Sequence, residues 1–159
     1  AFTGLEPATR AQIVRSLLKV QDGRARGAVG VLYPLLNAED LKALWGPIYQ
    51  ATKERAPSGT MFADGIRARG IGLMAQHGVE EGLELALSIL NEDRWGRYGR
   101  KMQIIPALKP YAGAAKVHLP ELKELAGDLV EKNKGMQAAL EAIEKQEAPE
   151  LMSIGESLE

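Results

Sequence analysis

Arg24-Ala25-Arg26-Gly27 returns later in the same chain as Arg67-Ala68-Arg69-Gly70, and the correspondence continues on both sides of those four residues. Asp22-Gly23 introduces the first copy and Asp64-Gly65 the second. A small and apolar run follows each, Ala28 to Leu36 and Ile71 to Ala75. Then comes an acidic opening, Ala38-Glu39-Asp40-Leu41 in one copy and Val79-Glu80-Glu81-Gly82-Leu83 in the other. Behind the acids, Leu41, Leu44 and Ile48 are answered by Leu83, Leu87 and Leu90. The offset drifts between 43 and 42 residues, with Ile66 standing as an extra residue. A period of that size holding two helical segments is the signature of a helical repeat. It specifies architecture and names no activity.

Working outward from the repeat, the spacing of Ile13, Leu17 and Val20 predicts a first helix over 9–20, with Pro7 just ahead of it, where proline is tolerated. Asp22-Gly23 breaks it. A second helix is expected over 24–36, apolar at Ala28, Val31, Leu32 and Leu35 and shortened by Pro34. Asn37 suits the cap of a third, over 38–55, interrupted at Gly46-Pro47. Ala56-Pro57-Ser58-Gly59 is the clearest loop signal. The second copy predicts helices over 63–77, closed by Gly78, and 79–91, with Glu80, Glu81 and Glu84 toward solvent. Another is expected over 94–112, ending or bending at Pro106 and Pro110, then a turn at Gly113 and a segment bearing Leu119, Leu122 and Leu125. From Pro120 onward, Leu122, Leu125, Leu129, Met136, Leu140 and Ile143 form one narrow apolar stripe among Lys, Glu and Gln. That stripe suits either a terminal helix capping the repeats or a face for a partner, and Gly127 and Gly135 argue that it is broken in two. Beyond Pro149 the acidic tail is expected to lack order. No alternating β-branched run predicts a sheet.

Composition narrows the function classes. The chain has 159 residues, 45% apolar but only 5% aromatic, which suits helices packed closely on helices. A formal net charge of −1 gives no global field to gather nucleic acid or an anionic membrane. There is no Cys, which excludes disulfides, thiol catalysis and thiolate metal sites and leaves the compartment open. No apolar run approaches the roughly 20 residues of a membrane helix. The opening Ala1-Phe2-Thr3-Gly4-Leu5-Glu6-Pro7 has neither an initiator Met nor a signal-peptide pattern, and leads us to expect a segment of a longer protein.

The helical pairs of Arg24 to Ile48, Arg67 to Leu90 and, less sharply, Met102 to Leu125 resemble HEAT and armadillo repeats. Leu119-Pro120-Glu121-Leu122 is similar to the start of a HEAT second helix, and Met61 to Leu125 to HEAT-like segments of large bacterial proteins with no assigned activity. HEAT first helices usually carry a proline near their middle, which 71–77 lacks; Pro34 and Pro106 take that part in the other copies. The resemblance implies an all-α fold, an α-α superhelix or HEAT-like solenoid of about three helix pairs. These pairs would occupy about 9–55, 63–91 and 94–130, with a capping helix and tail over 131–159.

Candidate chemistry is sparse. His77 and His118 are the only histidines, and Gly78 should keep Glu80 and Glu81 off the face of His77, so no metal site is expected. None of Ser16, Ser58, Ser88, Ser153 and Ser157 lies in a nucleophile elbow, and no phosphate-binding glycine loop follows a strand. Gly23, Gly27 and Gly30 are spaced for one face of a helix. The stretch Arg94-Trp95-Gly96-Arg97-Tyr98-Gly99-Arg100-Lys101 stands apart, with four cations and two large aromatics in eight residues. As a helix it would set Arg94, Arg97, Arg100 and Lys101 on one side, and Arg67 and Arg69 extend the patch if successive repeats stack in register. Arginine forks bind phosphate or carboxylate, and aromatics stack on bases or sugars. The competing reading is structural: the arginines bridge to Asp64, Glu92 or Asp93, and Trp95 fills a gap between helix pairs.

The resulting expectation is a non-enzymatic protein-interaction or scaffolding module with a protein or peptide partner, no cofactor and no catalytic residues. Two alternatives belong to other classes. HEAT-like folds include DNA glycosylases with a basic concave groove; Asp93, Trp95 and Arg97 are the local trio resembling such a site, and the near-neutral charge opposes it. An architectural spacer without independent binding is the other.

Overall fold

The computed structural model describes residues 1–20, 27–54 and 60–159, apart from the side chains of 60–63. The Asp22-Gly23 break, Arg24 to Arg26 and the Ala56-Pro57-Ser58-Gly59 loop lie outside them. Among the described residues the chain is all-helical, without strands. It divides into two compact units, Ala1–Gly70 with Ile154–Glu159, and Ile71–Ser153.

In the first unit α1 (Pro7–Leu18) opens with Pro7 in its first turn, where a missing N–H costs nothing. Its buried side is Arg10, Ala11, Val14 and Leu18, while Ile13, Leu17 and Val20 are half-buried. The predicted stripe was therefore rotated, because a buried arginine belongs to the true one. Arg10 reaches Asp40 with Nε and Nη2, at 3.0 Å in the shorter contact, and Nη1 donates to the Leu5 carbonyl. Asp40 closes a capping box with Asn37 at the start of α2 (Ala38–Lys42): Asn37 Oδ1 accepts the Asp40 amide at 2.9 Å and Asp40 accepts the Asn37 amide at 3.1 Å. One carboxylate thus caps a helix and pins α1.

The helix expected over 38–55 breaks at Ala43-Leu44, not at Gly46-Pro47, and resumes as α3 (Trp45–Lys53). Pro47 falls in the first turn of α3, where a proline needs no hydrogen bond to give up. Residues 29–35 are two short 3₁₀ turns, Val29–Val31 and Tyr33–Leu35. Their buried residues are Val29, Gly30, Tyr33 and Leu36, and Val31 and Leu35, expected inside, are exposed.

The long helix α4 (Thr60–Gln76) carries the second Arg-Ala-Arg-Gly. Gly78, at φ +65°, ends this segment in the left-handed conformation the sequence asked for. In the second unit, α5 (Glu81–Leu90) buries Leu83, Leu85, Ala86, Ile89 and Leu90 and holds Glu84 in solvent. Then α6 (Arg97–Ala107) ends just after Pro106. A 3₁₀ stretch, Lys109–His118, bends sharply at Ala112 and leads into α7 (Leu119–Ala126). Gly127, at φ +50°, and a 3₁₀ turn over Gly127–Lys132 separate α7 from α8 (Lys134–Lys145). The break predicted from the two glycines is present, and Asn133 caps α8 by accepting the Met136 amide at 3.0 Å.

Met136, Ala139, Leu140, Ala142 and Ile143 of α8 are buried against α6, α7 and the 109–118 stretch, so this apolar face is filled from within its own unit. The tail corrects a further expectation. Met152 pairs with the residues flanking Val79, Ile154 is buried, and Gly155–Leu158 forms a 3₁₀ turn. The tail beyond Pro149 is ordered because its backbone is bonded, a property its acidic composition does not reveal.

Candidate functional site

The eight predicted surface residues separate into those that hold the chain together and those that face solvent. Arg67 is buried. Its Nε donates to the Thr52 carbonyl at 2.9 Å and Nη2 to that of Lys53 at 3.1 Å, satisfying carbonyls in the last turn of α3, while Asp64 lies 3.5 Å from Nη1. Arg69 is exposed, and its Cδ and guanidinium pass so close over Gly30 that a Cβ there would meet them. Gly70 lies against Thr52, where a side chain would strike the threonine hydroxyl. The second Arg-Ala-Arg-Gly is therefore a packing motif: two arginines and a glycine fit α4 to α3 and to the 29–31 turn.

Arg94, expected in line with Arg97 and Arg100, precedes α6 and bonds Glu92 at 2.7 Å. Gly96, at φ +91°, turns the chain into the helix. Arg100 is fully buried and points back into this turn, donating to the carbonyls of Trp95 at 2.6 Å, Arg94 at 2.9 Å and Glu92 at 3.0 Å. It is the strut of the 92–96 loop. The expectation that Arg67 and Arg100 form part of a binding surface is corrected by their burial. The competing idea that Trp95 fills an internal gap is corrected too, because its side chain is 72% exposed.

Within 94–101, what faces solvent is Trp95, Arg97, Tyr98 and part of Lys101. Below Tyr98 and Lys101 two adjoining hollows, each of about 350 Å³, run between α6 and α7 and share Lys101, Glu124 and Leu125. Arg97 and Lys101 stand on the α6 side, Glu121 and Glu124 on the α7 side, with Asp128 beyond them. Leu125, Leu129 and the ring of Tyr98 provide the apolar lining. Asn91 donates to Glu121 at 3.0 Å and fixes one end. The α7 wall was not identified from sequence; Glu121 and Glu124, three apart behind Leu119-Pro120, were the available signal.

His77 is exposed beyond the end of α4, and His118 is half-buried at the start of α7. Among the described residues no three His, Asp or Glu side chains gather as a metal ion requires, and no helix is long and apolar enough to cross a membrane. No protein-family model, curated protein or solved structure matches the chain.

Proposed function

We propose that this chain is a non-enzymatic protein-interaction or scaffolding module of HEAT-like helix pairs, which takes a polypeptide segment in the cleft between α6 and α7. The observation that carries the reading is the cleft itself: an apolar strip at Tyr98, Leu125 and Leu129 between a cationic wall and an anionic one. Such a strip fits a segment with an apolar residue between an acid and a base, each charge meeting its opposite. Exposed Tyr and Trp beside arginine are the residue types that anchor protein interfaces. The HEAT-like arrangement draws support from the second unit, where α6 packs on α7, next in the chain, and on α8, next but one, as stacked pairs require.

The nucleic-acid reading draws less support. Two of the cations it counted are buried, and Glu121, Glu124 and Asp128 would repel the phosphates drawn to Arg97 and Lys101. Fluorescence anisotropy separates the readings. Labelled peptides carrying an acid-apolar-base triplet should bind the purified chain and lose binding in Tyr98→Ser and Leu125→Asp. Binding by oligonucleotides instead, steeply weakened by salt and abolished in Arg97→Glu, would overturn the peptide reading. An inert chain in both series would leave the spacer role.

A further inference from the structure

A second surface, in the Ile71–Ser153 unit, is shaped around an extended backbone. After α8 the chain leaves the helix at Gln146, with φ −90° and ψ 150°, and runs through exposed residues to Glu150. Gly113 allows its first close approach: a Cβ there would stand 2.5 Å from the Gln146 carbonyl oxygen and 2.8 Å from the Ala148 nitrogen. Gly78 allows the next, since its Cβ would stand 2.9 Å from the Glu150 oxygen. Then the Met152 amide donates to the Gly78 carbonyl at 2.8 Å, and the Glu80 amide donates to the Met152 carbonyl at 2.9 Å, a parallel bridge across Val79. Ser153 Oγ donates to Glu81 Oε2 at 2.8 Å.

The wall behind that bridge is fixed. Tyr111 Oη donates to the Val79 carbonyl at 2.7 Å, and Gly82 lies so close to the same hydroxyl that any side chain there would strike it. With Val79 held from behind, the Gly78 carbonyl and Glu80 amide project to a guest strand. The guest's side chains matter less: Leu151 is half-buried and Met152 is 42% exposed. Recognition through main-chain bonds, with a side-chain contact for register, is how a strand is added to an exposed edge.

We infer that the Gly78–Glu81 turn and Gly113 form a docking groove for an extended polypeptide, which residues 148–153 occupy in cis. The partner it accepts in trans is an extended segment of the same chemistry. It has a free N–H at the position of Met152, an apolar residue before it and a hydroxyl-bearing residue after it. This groove is separate from the α6–α7 cleft, and its failure would leave that reading untouched.

The test uses the full chain and a fluorescein-labelled peptide, Glu-Ala-Pro-Glu-Leu-Met-Ser-Ile, copied from residues 147–154. In the native chain the internal segment competes and the peptide binds weakly. Met152→Pro deletes the amide that bonds Gly78, so the internal segment competes with one hydrogen bond fewer and the peptide should bind about ten-fold more tightly. Adding Gly113→Val should abolish that gain. Should Met152→Pro fail to fold, Ser153→Ala, which removes only the bond to Glu81, should tighten peptide binding about five-fold. Unchanged affinity in a folded Met152→Pro or Ser153→Ala chain would overturn the inference.

Discussion

Arg97 and Arg100 lie one turn apart on α6, the first with its side chain 49% exposed and the second with none of it in solvent. They are the same residue type at the spacing that should place them on one face, yet the chain uses them in opposite ways. The cause lies outside the helix. Gly96 turns the 92–95 segment across the start of α6, so three carbonyls gather beside Arg100 while Arg97 emerges beyond the turn. A planar fork with five donors can serve several carbonyls at once, and a buried carbonyl without a donor is expensive. Arg67 repeats the arrangement at the end of α3. A buried arginine here is a clasp for backbone that the helix ladder leaves unpaired.

The largest effect should come from breaking the clasp. Arg100→Met keeps most of the stem and removes the donors, and it should destabilise the chain by about 3 kcal/mol or more in urea, since each orphaned buried group costs about 1–3 kcal/mol. Arg100→Lys should recover only part of that, because one ammonium cannot span three acceptors. Arg97→Met should change stability by less than about 0.5 kcal/mol. Equal losses at the two positions would erase the distinction between strut and surface.

A smaller effect tests a third buried donor. Tyr111 is held well above the usual tyrosine range, first by burial and then by the charge of Glu81. The sign follows from linkage. The unfolded chain releases this proton near pH 10.0, and the folded chain retains it. The contribution is therefore complete below pH 10.0 and is lost as pH rises above it, because unfolding then becomes coupled to ionisation. Tyr111→Phe should cost about 1 kcal/mol at neutral pH, the net worth of one hydrogen bond, and should flatten the alkaline decline relative to the native chain. An alkaline decline of the same slope in both would show that Tyr111 does not drive it.

The same contrast explains what the sequence could and could not reveal. Helices were legible where apolar spacing and a stop signal agreed, as at Gly78 after α4, Pro106 near the end of α6, Gly127 after α7 and the Asn37 cap of α2. The buried faces of α1 and of residues 29–35 differ from the expected ones, because Arg10 and Tyr33 are buried where a hydrophobicity pattern expects solvent or neutrality. In the repeat, residues 29–35 are two 3₁₀ turns that meet at Leu32, with Pro34 inside the second, while the other copy lies in one helix from Thr60 to Gln76. The residues that follow the shared letters therefore differ in local structure. The arginine-rich stretch stands out by its letters, but composition cannot sort its members. That sorting depends on where the carbonyls of residues 92–95 point, a property of the backbone. The acidic wall of the cleft and the bonded tail arise from pairings between distant residues, which no local pattern carries.

Trp95 should show the smallest change in stability and the sharpest one in spectroscopy. Its carbonyl serves Arg100 and would remain in any variant, while its side chain is 72% exposed, so Trp95→Ala should shift stability by less than about 0.5 kcal/mol. The chain has one other tryptophan, Trp45, which is 3% exposed in the first unit. Trp95→Ala should therefore remove the red-shifted, iodide-quenchable component of the fluorescence and leave a blue-shifted, protected one. A peptide seated at Tyr98, three residues along, should shield Trp95 from iodide in the native chain and leave the Trp45 signal unchanged. If saturating peptide leaves the quenching of Trp95 as it was, the contact ends at the cleft, and Trp95 belongs with neither the clasp nor the interface.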